Sequence, residues 1–348
     1  MAEAREGEAP WLYAGIDEAG YGPVLGPLCV AASVFEVCEP VGSDAAAPDL
    51  WRLLRRGVSR TPGKSGRGRR LPIADSKVVK LPNPKPGDPG ARDPLMHLER
   101  GVLAMLHAKG VQVKTLEDLL GGLGAEASPL PWYRAGESEG EAIPGATTAE
   151  HVRMHGAHLA GVMQAACVRV RAMRCISIDE QHFNTQLREH GVKSGVSFDA
   201  VGALLREVWE VAGSSPASCP RVVVDRQGGR TSYGEALEQA LPNAEIEVLC
   251  ETPARSAYAV HGRAAEQRRS MRVYFEVEAE QRHLPLALAS MTAKLVRELM
   301  MRRFNRHFCA RMAELKPTAG YHSDGMRWLR DAEVMLSADE RATLRRKA

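Results

Sequence analysis

The 348-residue chain carries 46 Lys and Arg against 43 Asp and Glu, a formal charge of +3, with 44% apolar and 26% charged residues. That balance supports a sizeable core and a soluble surface, and it excludes a wholly disordered or polybasic, histone-like chain. The 32 Gly and 21 Pro announce long irregular stretches. The acidic opening, Met1 to Pro10, has no apolar run and does not read as a signal peptide. The longest mostly apolar stretch, Pro23 to Phe35, is shorter than a bilayer span. Seven Cys, without a close Cys-x-x-Cys pair, speak against a disulfide framework or zinc ribbon and for a reducing, cytoplasmic compartment.

Trp11 to Ile16 reads as a short aromatic and β-branched strand, and Pro27 to Phe35 as a second, more buried one. The loop between them holds Gly20, Gly22, Pro23 and Gly26, which makes a hairpin with a functional loop the simplest reading. From Leu50 to Ala74 there are only basic charges, including Arg60, Lys64, Arg67 and Arg70. The stretch 61–68 in it is either a phosphate-contacting loop or a solvated insertion. The Pro-rich residues 81–90 read as a linker or a long loop. Leu95 to Ala108 has helical spacing, 121–145 reads as a poorly ordered insertion, and Thr147 to Met173 reads as one long helix. Ser197 to Val211 repeats the helical pattern. Arg221 to Asp225 is a buried strand ending in a carboxylate, and Pro285 to Met312 is a closing helix. The sum is an α/β protein, one mixed sheet with helices on its faces.

Four acids stand out by position: Asp17 and Glu18 at the end of the first strand, Asp225 at the end of another, and Glu298 on the last long helix. Carboxylates gathered at sheet ends suit Mg²⁺, and two such ions roughly 3.5–4 Å apart can clamp a scissile phosphate. Acids at strand ends are most often solvated turn residues, and at this level that reading explains Asp17 and Glu18 better than a functional one. Neighbouring strand residues point to opposite faces, so these two share a site only where the strand becomes a turn. Lys294 and Glu298 could be an i, i+4 helix pair, although Lys before Glu is the weaker orientation.

The run Gly15-Ile16-Asp17-Glu18-Ala19-Gly20-Tyr21-Gly22-Pro23-Val24-Leu25-Gly26-Pro27 resembles the opening motif of type 2 ribonuclease H, Gly-x-Asp-Glu-Ala-Gly-Arg-Gly-Pro-x-x-Gly-Pro. Asp75-Ser76-Lys77 resembles that family's Asp-Ser-Lys, and Val222-Val223-Val224-Asp225 its third carboxylate strand. Ala289-Ser290-Met291-Thr292-Ala293-Lys294-Leu295-Val296-Arg297-Glu298 is similar to Ala-Ser-x-x-Ala-Lys-x-x-Arg-Asp. Gly320-Tyr321-His322-Ser323-Asp324 is similar to Gly-Tyr-Pro-Ser-Asp, with Trp328-Leu329 following. The resemblance implies a ribonuclease H-like fold, a five-stranded mixed sheet flanked by helices. It implies a single catalytic domain over 11–335, a basic insertion at 39–71, a partly irregular insertion at 82–145, and tails at 1–10 and 336–348.

It also implies hydrolysis of the RNA strand of RNA–DNA hybrids, and of ribonucleotides embedded in duplex DNA, leaving 5′-phosphate and 3′-hydroxyl ends. Asp17, Glu18, Asp225 and Glu298 would be the catalytic ligands of Mg²⁺ or Mn²⁺. The backbone of Gly20, Tyr21 and Gly22 would lie against the 2′-hydroxyl, Ser76, Lys77 and Lys294 would hold phosphates, and Tyr321 would stack beside the cut. A monomer is expected, with no membrane and no protein partner inferred.

Two departures bear on this. Tyr21 stands where the family has Arg, and Glu298 where it has Asp, a longer side chain that displaces its carboxylate by about 1 Å. Both motivate the alternative of a catalytically attenuated nucleic-acid-binding protein. The echo Ile178-Asp179-Glu180 lacks following glycines and reads as scaffold at a solvated strand end. Arg302, Arg303, Arg306 and Arg311 form either a nucleic-acid-facing stripe or a charged outer face, the second being slightly the better reading.

Overall fold

Every position from Trp11 to Ile16 is apolar or Gly, the pattern of a strand covered on both faces. In a computed structural model that describes residues 10–38, 47–62, 70–83, 92–134, 141–213, 220–263 and 269–347, this strand lies inside a seven-stranded sheet. The strands in chain order are β1 (Trp11–Ala19), β2 (Leu28–Val37), the two-residue β3 (Val58–Ser59) and β4 (Leu71–Pro72), β5 (Val168–Ile178), β6 (Arg221–Asp225), β7 (Ala244–Glu251), β8 (Arg255–Gly262) and β9 (Ser270–Glu276). The helices are α1 (Leu50–Leu53), α2 (Ser76–Val79), α3 (Met96–Ala108), α4 (Leu116–Gly122), α5 (Ala149–Ala165), α6 (Glu180–His190), α7 (Lys193–Gly213), α8 (Gly234–Ala240), α9 (Leu284–Arg311), α10 (His322–Ala332) and α11 (Ala338–Leu344).

The sheet runs β5-β2-β1-β6-β9-β8-β7. β1 pairs antiparallel with β2 and parallel with β6, and β6 pairs parallel with β9. The mixed α/β class is as expected, but the sheet has seven strands rather than five. An antiparallel β7–β8 hairpin extends it beyond β9. Side chains alternate, so β1 sends Trp11 and Tyr13 into one core with α3 and α9, and Leu12, Ala14 and Ile16 into another with α7 and α8.

The helix expected over Thr147–Met173 ends at Ala165, and β5 takes over at Val168. The sequence there, Val168-Arg169-Val170-Arg171, alternates with period two, and the left-handed Cys167 (φ 50°) breaks the helix before it. The stretch expected as a poorly ordered insertion contains the end of α4 and a short 3₁₀ turn, Pro131–Tyr133, and it buries Leu123, Leu130, Trp132 and Ile143. Residues 336–347, read as a tail, carry α11 and bury Leu344 and Arg346. Most of the basic loop and of the Pro-rich linker, and residues 1–9, lie outside the described residues.

α9 starts against β1. Ser33 Oγ donates to the Pro285 carbonyl at 2.7 Å, and a Cβ added at Gly15 would sit 2.1 Å from Leu286 N. Backbone cannot yield as a flexible side chain can, so Gly15→Ala is expected to destabilise the protein by about 3 kcal/mol or more. Urea unfolding measures this, and a loss under about 1 kcal/mol would contradict the close approach.

Candidate active site

The parallel strands β1, β6 and β9 deliver their carboxyl ends to one edge of the sheet, where ligands bind in α/β proteins. Ile16 lies in register with Val224, so the next residues, Asp17 and Asp225, are neighbours across two strands. Glu280 comes from the 3₁₀ turn Ala279–Gln281 between β9 and α9. One carboxylate oxygen from each of Asp17, Asp225 and Glu280 lies within 4.8 Å of the others. Asp17 and Glu280 are each only 6% exposed, so water screens this crowd of charge poorly.

β1 continues through Ala19, so Glu18 points to the opposite face from Asp17. Ser197 Oγ of α7 donates to Glu18 Oε2 at 2.6 Å, and Gln227 Nε2 donates to the same oxygen at 3.3 Å. Both carboxylates still line one cleft of about 240 Å³, together with Gly20, Tyr21, Gly22, Ser76, Lys77, Asp225, Glu280, Ser290, Lys294 and Tyr321. Asp75 caps α2 through Lys77 N at 2.9 Å, which presents Ser76 and Lys77 at a helix start. Ser290 Oγ donates to Ser76 Oγ at 3.0 Å. The Tyr321 ring, 48% exposed, lies 5.9 Å from Lys294 Nζ.

Burial and the neighbouring Asp225 and Glu280 push the Asp17 carboxyl well above its ordinary range. Asp225 is pushed up to about 7 by burial, Glu280 and Glu18, against the opposing pull of Lys77. Burial also raises Glu18, opposed by its bonds to Ser197 and Gln227. Lys77 loses to burial but gains more from Asp75, Glu280, Asp17 and Asp225, and its ammonium is held above the usual range.

The sign of the pH effect follows. Between the ordinary value of 3.8 and about 7, folded protein binds a proton at Asp225 that unfolded protein has lost. Stability without divalent cations therefore falls as pH rises through that window, and the loss is complete above it. Tm measured in EDTA is expected to be higher at pH 5 than at pH 8, with the difference reduced in Asp225→Asn. An equal slope in that variant would assign the effect elsewhere.

The chain is similar to three solved ribonucleases H. Against RNase HII of Archaeoglobus fulgidus, solved in a complex with PCNA, identity is 14% over 94% of this chain and 90% of that one, with a TM-score of 0.39. Against ribonuclease H2 of Pyrococcus horikoshii OT3 the values are 12%, 92%, 86% and 0.38. Bst-RNase HIII, solved with Mn²⁺, gives 12%, 99%, 69% and 0.38. No protein-family model and no curated protein matches the chain.

Of the residues expected at a site, only Glu298 stands outside the cleft lining. Its Oε1 is 2.9 Å from Lys294 Nζ and 3.7 Å from Lys80 Nζ. Burial raises its pKa, but Lys294 and Lys80 outweigh that and hold it below the usual range. Glu298, expected beside Asp17 and Asp225, thus lies against Lys294 and Lys80, and the acid that the structure gathers with Asp17 and Asp225 is Glu280, which the sequence motifs did not single out. A signal was present: Val273-Tyr274-Phe275 is an apolar run closed by acids, like Val222–Asp225.

The echo is scaffold but not solvated. Asp179 is 2% and Glu180 0% exposed, and Glu180 Oε1 accepts from Gly26 N at 2.9 Å and Tyr133 Oη at 2.8 Å. The four α9 arginines read as a charged outer face are paired: Arg302 with Asp93 at 2.7 Å, Arg303 with Glu117 at 2.6 Å, Arg306 with Glu141 at 2.8 Å, and Arg311 with Glu340. Among the described residues no helix is long and apolar enough to cross a membrane, and the described cysteines are free.

Proposed function

We propose that this chain is a metal-dependent endonuclease that hydrolyses the RNA strand of RNA–DNA hybrids, and ribonucleotides in duplex DNA. The observation that carries the reading is the convergence of Asp17, Asp225 and Glu280 within 4.8 Å. An all-oxygen, anionic donor set with no nitrogen or sulfur fits a hard cation, Mg²⁺ or Mn²⁺. Asp17, Asp225 and Glu280 would hold it, with Glu18 beside them. The chemistry supplied there is activation of the attacking water and stabilisation of the departing 3′-oxygen, leaving 5′-phosphate and 3′-hydroxyl ends.

The remaining roles belong to the chain itself. Lys77 and Lys294 meet phosphate with charge, and Ser76 meets it with a hydroxyl. Glu298 holds Lys294 in place across the 2.9 Å ion pair. Tyr321 offers an exposed ring face to a sugar or base. The Gly20-Tyr21-Gly22 backbone meets the 2′-hydroxyl, the group that separates RNA from DNA. Gly20 sits at φ +96°, and a Cβ there would lie 2.6 Å from Arg297 Nε, so the loop's path depends on glycine.

The test is cleavage of two end-labelled duplexes, an RNA–DNA hybrid and DNA with one embedded ribonucleotide, in Mg²⁺ and in Mn²⁺. Cutting that vanishes in EDTA and in Asp17→Asn is expected. Folded protein that binds the hybrid but cuts neither duplex in either metal would replace this reading with the non-catalytic nucleic-acid-binding one.

A further inference from the structure

The glycine loop of the cleft is backed by a buried cation from the far end of the chain. Asn184 of α6 clamps that end: its Nδ2 donates to Thr343 O at 3.4 Å and Arg345 O at 3.0 Å, and its Oδ1 accepts from Lys347 N at 2.7 Å. Between those points Arg346 N donates to Val24 O at 2.9 Å. The Arg346 side chain, 1% exposed, passes 4.5 Å from the Phe183 ring centroid and ends under the loop. Its Nε donates to Pro23 O at 3.0 Å, and its Nη2 to Gly20 O at 2.6 Å, to Tyr21 O at 3.2 Å and to Pro23 O.

A trans peptide plane points its C=O and the next residue's N–H in opposite directions. Drawing the Gly20 and Tyr21 carbonyls back onto Arg346 therefore turns Tyr21 N–H and Gly22 N–H the other way. Gly20, Tyr21 and Gly22 line the cleft, and among the described residues neither Tyr21 N–H nor Gly22 N–H has a protein acceptor. Gly22 is exposed, with nothing within 4 Å of the place a Cβ would take. Two unspent donors aimed into a cleft are suited to a hydroxyl or anionic oxygen.

We propose that Arg346 is a positioning residue: from behind the loop its guanidinium fixes the Gly20–Tyr21 and Tyr21–Gly22 peptide planes, and so sets the discrimination between a sugar with a 2′-hydroxyl and one without. The inference rests on the function proposed above. The fork geometry matters, because one guanidinium serves three carbonyls from a fixed plane, which a lysine ammonium cannot do. Arg346 faces the loop rather than the cleft, so it acts through the backbone and not as a phosphate contact.

The test uses the full chain and reads binding in Ca²⁺ before any cleavage. The affinity ratio is measured between a DNA duplex with one ribonucleotide and the all-DNA duplex of the same sequence. Wild type is expected to favour the ribonucleotide by roughly tenfold or more, as for a hydrogen-bonded group left unpaired in the analogue. Arg346→Ala is expected to bring the ratio close to one, with Mn²⁺ affinity unchanged. Free guanidinium ion, against NaCl at equal ionic strength, should restore several-fold of the lost ratio. Arg346→Lys should retain the fold and still lose several-fold.

A wild-type ratio in folded Arg346→Ala would overturn the proposal. So would equal weakening on both duplexes without guanidinium rescue, the mark of a merely structural role. Should Arg346→Ala not fold, an undiminished ratio in Arg346→Lys overturns it alone. Wild type that neither prefers the ribonucleotide nor cuts either duplex removes the proposed function and this inference together. Wild type that cuts, with a variant that still discriminates, removes only the role of Arg346.

Discussion

Asp17→Asn is expected to lower the rate of hybrid cleavage by on the order of a thousandfold, in both Mg²⁺ and Mn²⁺. Asp17 shares the carboxylate cluster with Asp225 and Glu280, and losing a proposed ligand worth several kcal/mol of transition-state charge stabilisation produces a loss of that size. The same change should stabilise the protein in EDTA, because burial and the charges of Asp225 and Glu280 already disfavour the Asp17 carboxylate. Thermal unfolding separates the two effects. Mn²⁺ at a hundredfold excess over its Kd should stabilise wild type by about 2.7 kcal/mol. It should leave Asp17→Asn nearly unmoved. A variant that cuts at the wild-type rate, or gains as much from Mn²⁺, would place the metal elsewhere.

Glu280→Gln against Glu298→Gln is the second large contrast. Glu280 is 6% exposed and shares the cluster with Asp17 and Asp225, so its amide should cost about a hundredfold in rate and weaken Mn²⁺ by at least tenfold. Glu298 is engaged by Lys294 and Lys80, so Glu298→Gln should leave Mn²⁺ affinity intact and cost less than about tenfold in rate. That smaller cost should fall mainly on KM, since Lys294 is the group left without its carboxylate. Calorimetric titration with Mn²⁺ alongside steady-state cleavage decides between them. The reverse order of effects would return Glu298 to the metal site and remove Glu280 from it.

Much of this protein is written locally. The apolar runs at 11–16 and 221–225, the glycines between β1 and β2, and the helical spacing of α3, α7 and α9 are short-range patterns, and each became the element its period demands. Asp17 and Asp225 were legible for the same reason, as acids closing buried strands. The β7–β8 hairpin, by contrast, depended on which strand it would find as a neighbour, and the β5 strand on where α5 would stop.

Three decisions belonged to the tertiary structure alone. Glu280 and Glu298 both flank the start or middle of α9, and only the parallel pairing of β6 with β9 brings the turn after β9 to Asp225. Glu298 lies nearly four helical turns into α9, where two lysines neutralise it. Glu180 repeats the Ile-Asp-Glu of the site but is drawn into a bond with Gly26 N beneath the loop. Arg346 lies more than three hundred residues from Gly20 in sequence and 2.6 Å from its carbonyl in space. Hydrophobic period and turn chemistry act over a few residues, so a sequence declares its elements. Which carboxylates share a cation, and which guanidinium backs a loop, is set by strand order, because charges interact through distance in space and not along the chain.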